Sequence, residues 1–241
     1  MRLLALETST HWLSVAVGGA AGWVTRDVEV GPGHSGRILP LIQEALAEAG
    51  TSLKQIDAIA FGAGPGSFTG VRIACGVAQG LALGLVSGAG VPLVPVCSLL
   101  AVAESARVRY GVERVCTATD ARIREVYAAA WQYQAGGWDE VMVPMVARPE
   151  EAAAAFRRIA ETAEDAWSIA GDGLAVYPEL GSALPWQVAE ANVRPAAQAI
   201  GELALAAWER GEKVTAAEAM PLYVRQRVAL TRAEREAGET L

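Results

Sequence analysis

A mixed α/β protein built from two similar halves is what the sequence predicts, and three observations predict it. The chain has 241 residues, 52% of them hydrophobic, enough to bury a sizeable core. Short apolar runs of strand type alternate with longer stretches whose apolar residues recur at helical spacing. The order of elements in residues 1–100 is then echoed in residues 101–230.

The runs RLLALET, WLSVAV and GWVTRDVEV read as three strands separated by turn-rich joints at 8–11 and 18–22, for which an antiparallel meander is the simplest arrangement. In SGRILPLIQEALAEAG the residues Ile38, Leu39, Leu41, Ile42, Ala45 and Leu46 fall at helical spacing, with Ser35 as N-cap and Gly50 as stop. IDAIAFG reads as a buried strand. The glycine-rich loop GAGPGSFTG then leads into a second helix to about Leu85, and PLVPVC forms the next strand. Ser67 or Thr69 can cap that second helix. A helix over 98–108 closes the first round. The second runs through the strands RVCTATDA, EVYAAAWQY and EVMVPMVA, a helix near 149–163, the strand WSIAG and the helix PAAQAIGELALAAWERG. The charged stretch TRAEREAGETL, residues 231–241, is expected to be a flexible tail.

Composition excludes several classes. A net charge of −7 and a pI near 5.0 argue against a chain that grips nucleic acid alone. The densest basic pairs are Arg122 with Arg124 and Arg225 with Arg227, each with acids or ordinary ion-pair readings nearby. Cys75, Cys97 and Cys116 lie in apolar runs without CxxC spacing and read as buried structural residues. The start, MRLLALETST, lacks the pattern of a signal peptide, so a cytoplasmic protein is expected. Residues 73–97 carry no charge over a length that could span a bilayer, but Gly76, Gly80, Gly84, Gly88, Gly90, Pro92 and Pro95 break them into helix, turn and strand, so no membrane span is expected. His11 and His34 are the whole histidine complement, so no metal site built on paired histidines is expected. Ser67 stands on a strand-to-helix turn but lacks the G-x-S-x-G spacing of a hydrolase nucleophile.

A duplicated α/β half that opens on a meander and carries a polar ETST turn between its first two strands is the layout of the actin-like ATPase and sugar kinase superfamily. The expected fold is therefore a two-lobed actin-like (ASKHA) fold with mixed sheets and a reduced second lobe, the lobes spanning 1–100 and 101–230. Over residues 1–230 the runs LALETSTHWLSVAV, HSGRILPLI, FGAGPGSFTGVRIACGVAQGLALG, VPLVPVCSL, ATDARIREVYAA and AMPLYVR resemble, in this order and spacing, the bacterial TsaB (YeaZ) family. Glu7 stands where many members have Asp, Met220 where Glu is common, and Ala74 and Cys75 alter a usually glycine-richer helix start. The resemblance implies a non-catalytic subunit in the synthesis of threonylcarbamoyladenosine beside the tRNA anticodon. Such a subunit pairs with TsaD, works with TsaE, forms a homodimer when alone and meets tRNA only through the complex. It implies no cofactor of its own and leaves ATP or ADP at the partner interface open. A small ATP-dependent phosphotransferase of the same superfamily and a self-sufficient homodimeric module are the alternatives.

Superfamily placement makes Glu7, Thr8 and Ser9 the first phosphate loop, where hydroxyls and N–H groups face phosphate and an acid holds Mg²⁺ through water. Asp120 is the counterpart in the second half, and Gly171 with Gly173 in GDG the remnant of an adenosine turn. The bulky DARIRE hinders the close approach a pyrophosphate needs, so any nucleotide site is expected to be weak or vestigial. Partner-binding residues are expected in two blocks: His34, Arg37 and Leu41, then Ser67, Phe68, Arg72, Gly76, Gly80 and Leu83. Gly76, Gly80 and Gly84 recur every four residues and share a helix face. That face either packs on the chain's own sheet or meets a second subunit. Apolar residues on nearly two faces of the 35–50 helix are read as surplus available to the same bundle.

Overall fold

A computed structural model describes residues 1–31, 33–85, 90–163 and 165–225. The predicted tail at 231–241, Gly88 and Arg227 lie outside the described residues. The first sheet has the order β3-β2-β1-β4-β5, from β1 (Leu3–Glu7), β2 (Trp12–Gly19), β3 (Gly22–Glu29), β4 (Ala58–Gly64) and β5 (Leu93–Cys97). β1, β2 and β3 form the antiparallel meander, whereas β4 and β5 return parallel to β1 through helical crossovers. The second sheet repeats this plan as β10-β9-β6-β7-β8, from β6 (Arg114–Arg122), β7 (Glu125–Gln134), β8 (Gly137–Ala147), β9 (Ser168–Ala170) and β10 (Ala189–Glu190). β6, β7 and β8 are antiparallel neighbours, and β9 and β10 are parallel additions of only three and two residues. The second lobe is reduced at this edge.

Helices α1 (His34–Glu48) and α2 (Phe68–Leu85) cover one face of the first sheet. Ile38, Leu41, Ile42, Ala45 and Leu46 of α1, with Ala74, Cys75, Ala78 and Ala82 of α2, pack on Leu4, Leu6, Val15, Ile59 and Phe61. α1 starts at His34 after Gly33, with no side-chain cap, so Ser35 lies inside the helix and is not its N-cap. Ser67 does cap α2: its Oγ accepts the Gly70 N–H at 3.3 Å.

Between the sheets lie α3 (Ser98–Tyr110) and α6 (Ala197–Glu209); α4 (Pro149–Glu161) and the short α5 (Gly173–Val176) cover the far face of the second sheet. Here the packing departs from a division at residue 100. α3 belongs to the second sheet, where Leu99, Val102 and Ala106 meet Val115, Ala129 and Trp131. α6, the last helix of the second half, packs on the first sheet, where Ala197, Ile200, Ala204 and Ala207 meet Leu3, Ala5, Ala16, Ala58 and Ala60. Small residues on both sides permit the approach: a Cβ on Gly201 would overlap the Trp23 ring. The first lobe thus takes back a helix from the 101–230 segment, and the lobes are tied by more than one crossing.

Candidate functional site

The first candidate is the turn after β1. Glu7, Thr8 and Ser9 are all buried. The loop at 64–70 lies directly over them. Thr8 Oγ1 donates to the Gly70 carbonyl at 2.7 Å, and Ser67 N–H donates to the Ser9 carbonyl at 2.7 Å. A Cβ on Gly70 would overlap the Thr8 carbonyl oxygen, and one on Gly66 would come within 2.5 Å of Ser9 Cβ. These glycines therefore serve the approach of two backbone segments of the same chain. The peptide bond between Gly64 and Pro65 is cis.

Glu7 is enclosed from beneath. Its Oε2 accepts from Ser98 Oγ at 2.8 Å and its Oε1 from the Ser9 N–H, while Ser98 Oγ accepts the Gly64 N–H at 3.2 Å. A Cβ on Gly62 would overlap the carboxylate. Burial pushes the Glu7 carboxyl above its ordinary value, against the hydrogen bonds from Ser9 and Ser98 that favour its charged form. Ser98, which the sequence reading passed over, holds turn and loop together. Burial also pushes the neighbouring Cys97 thiol up to about 11, so it stays protonated at neutral pH and is a poor nucleophile.

The counterpart in the second lobe is built differently. The Asp120 N–H donates to Asp172 Oδ1 at 3.0 Å, and Asp120 itself accepts from the Arg122 N–H at 2.9 Å and pairs with the Arg122 guanidinium at 3.2 Å. Burial, with Asp120 nearby, raises the Asp172 carboxyl against the hydrogen bond from the Asp120 N–H. Gly171 has φ +128°, and a Cβ on it would overlap the Ala118 carbonyl oxygen; one on Gly173 would come within 2.8 Å of the same atom. The GDG turn thus ties the end of β9 to the end of β6. Arg122, Ile123 and Arg124 are all left-handed, with φ 64°, 54° and 55°, which turns the bulky DARIRE hairpin tightly. The six residues expected to form a weak nucleotide site are therefore joined to their own chain, and their glycines answer packing needs. What remains between the lobes is a cleft of about 1020 Å³, lined among others by Ser9, His11, Arg72, Asp120, Arg122 and Tyr127.

The second candidate is the outer face of α2. A Cβ on Gly76, Gly80 or Gly84 would meet nothing within 4 Å, so this face does not pack on the chain's own sheet. Leu83 beside it is 57% exposed and Phe68 at the helix start 47%. The helix is 18 residues long and apolar enough to cross a bilayer by length and composition, yet Ala74, Ala78 and Ala82 are buried on the sheet. The expected partner-binding residues divide accordingly. Phe68, Arg72, Gly76, Gly80 and Leu83 are exposed on α2, Ser67 is exposed at its cap, and Arg37 is exposed on α1, 3.8 Å from Glu44. His34, whose Nε2 lies 3.2 Å from the Trp12 carbonyl, and Leu41, 1% exposed, are buried inside the subunit and cannot contact a partner directly. The apolar surplus expected on α1 fills the core instead; Leu39 is the one large apolar residue it leaves exposed.

Comparison with known proteins agrees with this architecture. Residues 29–232 match the family model described as TsaD, tRNA N6-adenosine threonylcarbamoyltransferase. The chain is 38% identical over 232 residues to the tRNA threonylcarbamoyladenosine biosynthesis protein TsaB of Escherichia coli K12, covering 95% of this chain and 96% of that protein. It is 36% identical to TsaB of Haemophilus influenzae, with 95% of each chain covered. The crystal structure of YeaZ from Pseudomonas aeruginosa superposes with a TM-score of 0.80 at 38% identity, covering 92% of this chain and 99% of that one. With its two mixed sheets in an actin-like fold, the chain belongs to the TsaB (YeaZ) family and has a role in tRNA threonylcarbamoyladenosine biosynthesis.

Proposed function

We propose that the chain is a non-catalytic subunit that docks through the open face of α2 onto the catalytic protein TsaD, works with TsaE, and forms a homodimer when TsaD is absent. The observation that carries this reading is the stripe Gly76, Gly80 and Gly84, which has no neighbour within 4 Å among the described residues. Each glycine costs a helix about 0.5–1 kcal/mol relative to alanine. Among the described residues no contact offsets that cost, whereas a partner helix could approach closely along such a stripe. Copurification with TsaD tests it: the chain is expected to bring TsaD down, and Gly80→Leu to abolish this while the free subunit stays folded. Retained binding by Gly80→Leu overturns the reading.

The interlobe cleft, with Asp120 and Asp172, is the one feature that favours the phosphotransferase alternative. Against it, the Thr8 hydroxyl and the Ser9 carbonyl of the ETST turn are already engaged by the 64–70 segment. On this reading the lone chain has no cofactor of its own, and ATP or ADP would be held only at the partner interface. ATP turnover by the pure chain, lost in Asp120→Ala, would promote the phosphotransferase instead. Contact with tRNA is assigned to the complex, because Arg122 pairs with Asp120, and Arg225 with Glu125 and the Ala121 carbonyl. Tight, steeply salt-dependent tRNA binding by the lone chain, weakened in Arg225→Glu, would move that contact to this subunit. Three free thiols accord with a cytoplasmic location.

A further inference from the structure

The AMPLYVR run has no part in the glycine stripe, but its residues Leu222, Tyr223, Val224 and Arg225 line the cleft, and the structure gives it a defined course. After α6 the chain forms a two-bond bridge between Val214 and Leu93 on the edge strand β5. It then runs back along one flank of α2. Gln79 Nε2 donates to the carbonyls of Ala216 and Ala219, at 2.8 and 3.1 Å, and the Leu222 N–H donates to the Ala63 carbonyl at 2.7 Å. At the far end Arg225 reaches the second lobe at Ala121 and Glu125. This strap brings Tyr223 beside the first turn of α2. The Arg72 guanidinium lies 3.5 Å from the centre of the Phe68 ring and 5.5 Å from that of Tyr223, and its Nε donates to the Tyr223 hydroxyl at 2.7 Å.

Arg72 is the one charged residue of α2. Among the described residues it has no carboxylate within 4.0 Å, and its two terminal nitrogens meet no acceptor. A partner that covers α2 takes this cation out of water, and an unpaired charge in an interface is costly. Stacking and the Tyr223 hydroxyl already orient the planar fork, which matches a carboxylate through two parallel N–H bonds. Its rim is apolar: Phe68, Leu222, Tyr223 and Met220 are 40–68% exposed. Among the described residues the other guanidinium groups lining the cleft, Arg122 and Arg225, are already paired, so a multiply charged phosphate finds one free guanidinium there where it needs several.

We propose that Arg72, clamped between Phe68 and Tyr223 of the strap, is the seat for a carboxylate of the protein that docks on the α2 face. This rests on the docking reading above, and the strap then forms one wall of that face. The test is titration of the full chain with TsaD at two salt concentrations. Arg72→Lys keeps the charge but loses the fork, and is expected to weaken binding about tenfold. Arg72→Ala is expected to weaken it at least as much and to flatten its salt dependence. Tyr223→Phe, which keeps the ring and removes only the hydroxyl, gives a smaller loss and guards against a variant that misfolds. If Gly80→Leu binds like the parent, the docking reading itself fails and takes the seat with it. If Gly80→Leu abolishes binding while Arg72→Lys binds like the parent, only the seat is overturned. Binding of pyrophosphate by the lone chain, lost in Arg72→Lys, would assign the seat to a phosphate and overturn the carboxylate.

Discussion

Two sets of glycines lie within one stretch of this chain and do opposite things. Gly62, Gly66 and Gly70 are closed: a Cβ on any of them would run into Glu7, Ser9 or Thr8. Gly76, Gly80 and Gly84 are open, with nothing within 4 Å. The closed set lets the segment at 64–70 settle on the turn after β1. The open set leaves a smooth helix face with no occupant among the described residues. One glycine-rich block thus covers the turn after β1 and presents an open helix face, and this contrast supports the reading that the second is where the protein docks.

The contrast can be broken at its strongest point by Gly70→Ala. The added methyl meets the Thr8 carbonyl, which is backbone and cannot swing aside, so a loss of about 3 kcal/mol is expected in urea unfolding. A change below about 1 kcal/mol would mean that loop and turn are not in close contact.

Glu7→Ala sharpens the same side of the comparison. It leaves the Ser98 hydroxyl and the Ser9 N–H without their buried acceptor, for an expected cost of about 2 kcal/mol. Glu7 also predicts a pH dependence. Its folded carboxyl is raised above the unfolded value, so the folded state holds the proton more tightly. The stabilisation from this group is complete below the unfolded value, near 4.5, and is lost as pH rises through the folded one. Stability measured across that window should fall with pH, and Glu7→Gln should flatten the decline. The Asp172 and Glu202 carboxyls, raised likewise by burial, are left in place by this variant and contribute to the residual slope.

The smallest effect carries the opposite sign. Gly80→Ala adds a methyl where nothing stands within 4 Å and improves helix propensity, so the free subunit should gain about 0.5–1 kcal/mol. Loss of stability would place Gly80 inside the subunit's own packing and dissolve the distinction between the two sets.

Much of this was legible from residue order alone. The short apolar runs of β1 and β2, bounded by turn residues, and the apolar spacing of α1 identify their elements, because these signals are local. The repeat of strand, strand, strand, helix, strand predicts two similar sheets, and the strand-to-helix turn lies within GAGPGSFTG, although β4 extends to Gly64 and α2 starts at Phe68, leaving only residues 65–67 between them. Periodicity names a helix face without naming what covers it. Leu41 and Leu83 both read as apolar helix positions fit for a partner; the structure buries the first on the sheet and leaves the second in the open. The same limit applies to α6, whose small residues suit either sheet and which tertiary packing assigns to the first, and to Tyr223, more than 150 residues from its partner Arg72 in sequence. A glycine lacks a Cβ in sequence whatever surrounds it. Whether that absence admits a neighbouring backbone of the same chain, as at Gly70, or leaves room for another molecule, as at Gly80, is decided by where the rest of the chain folds.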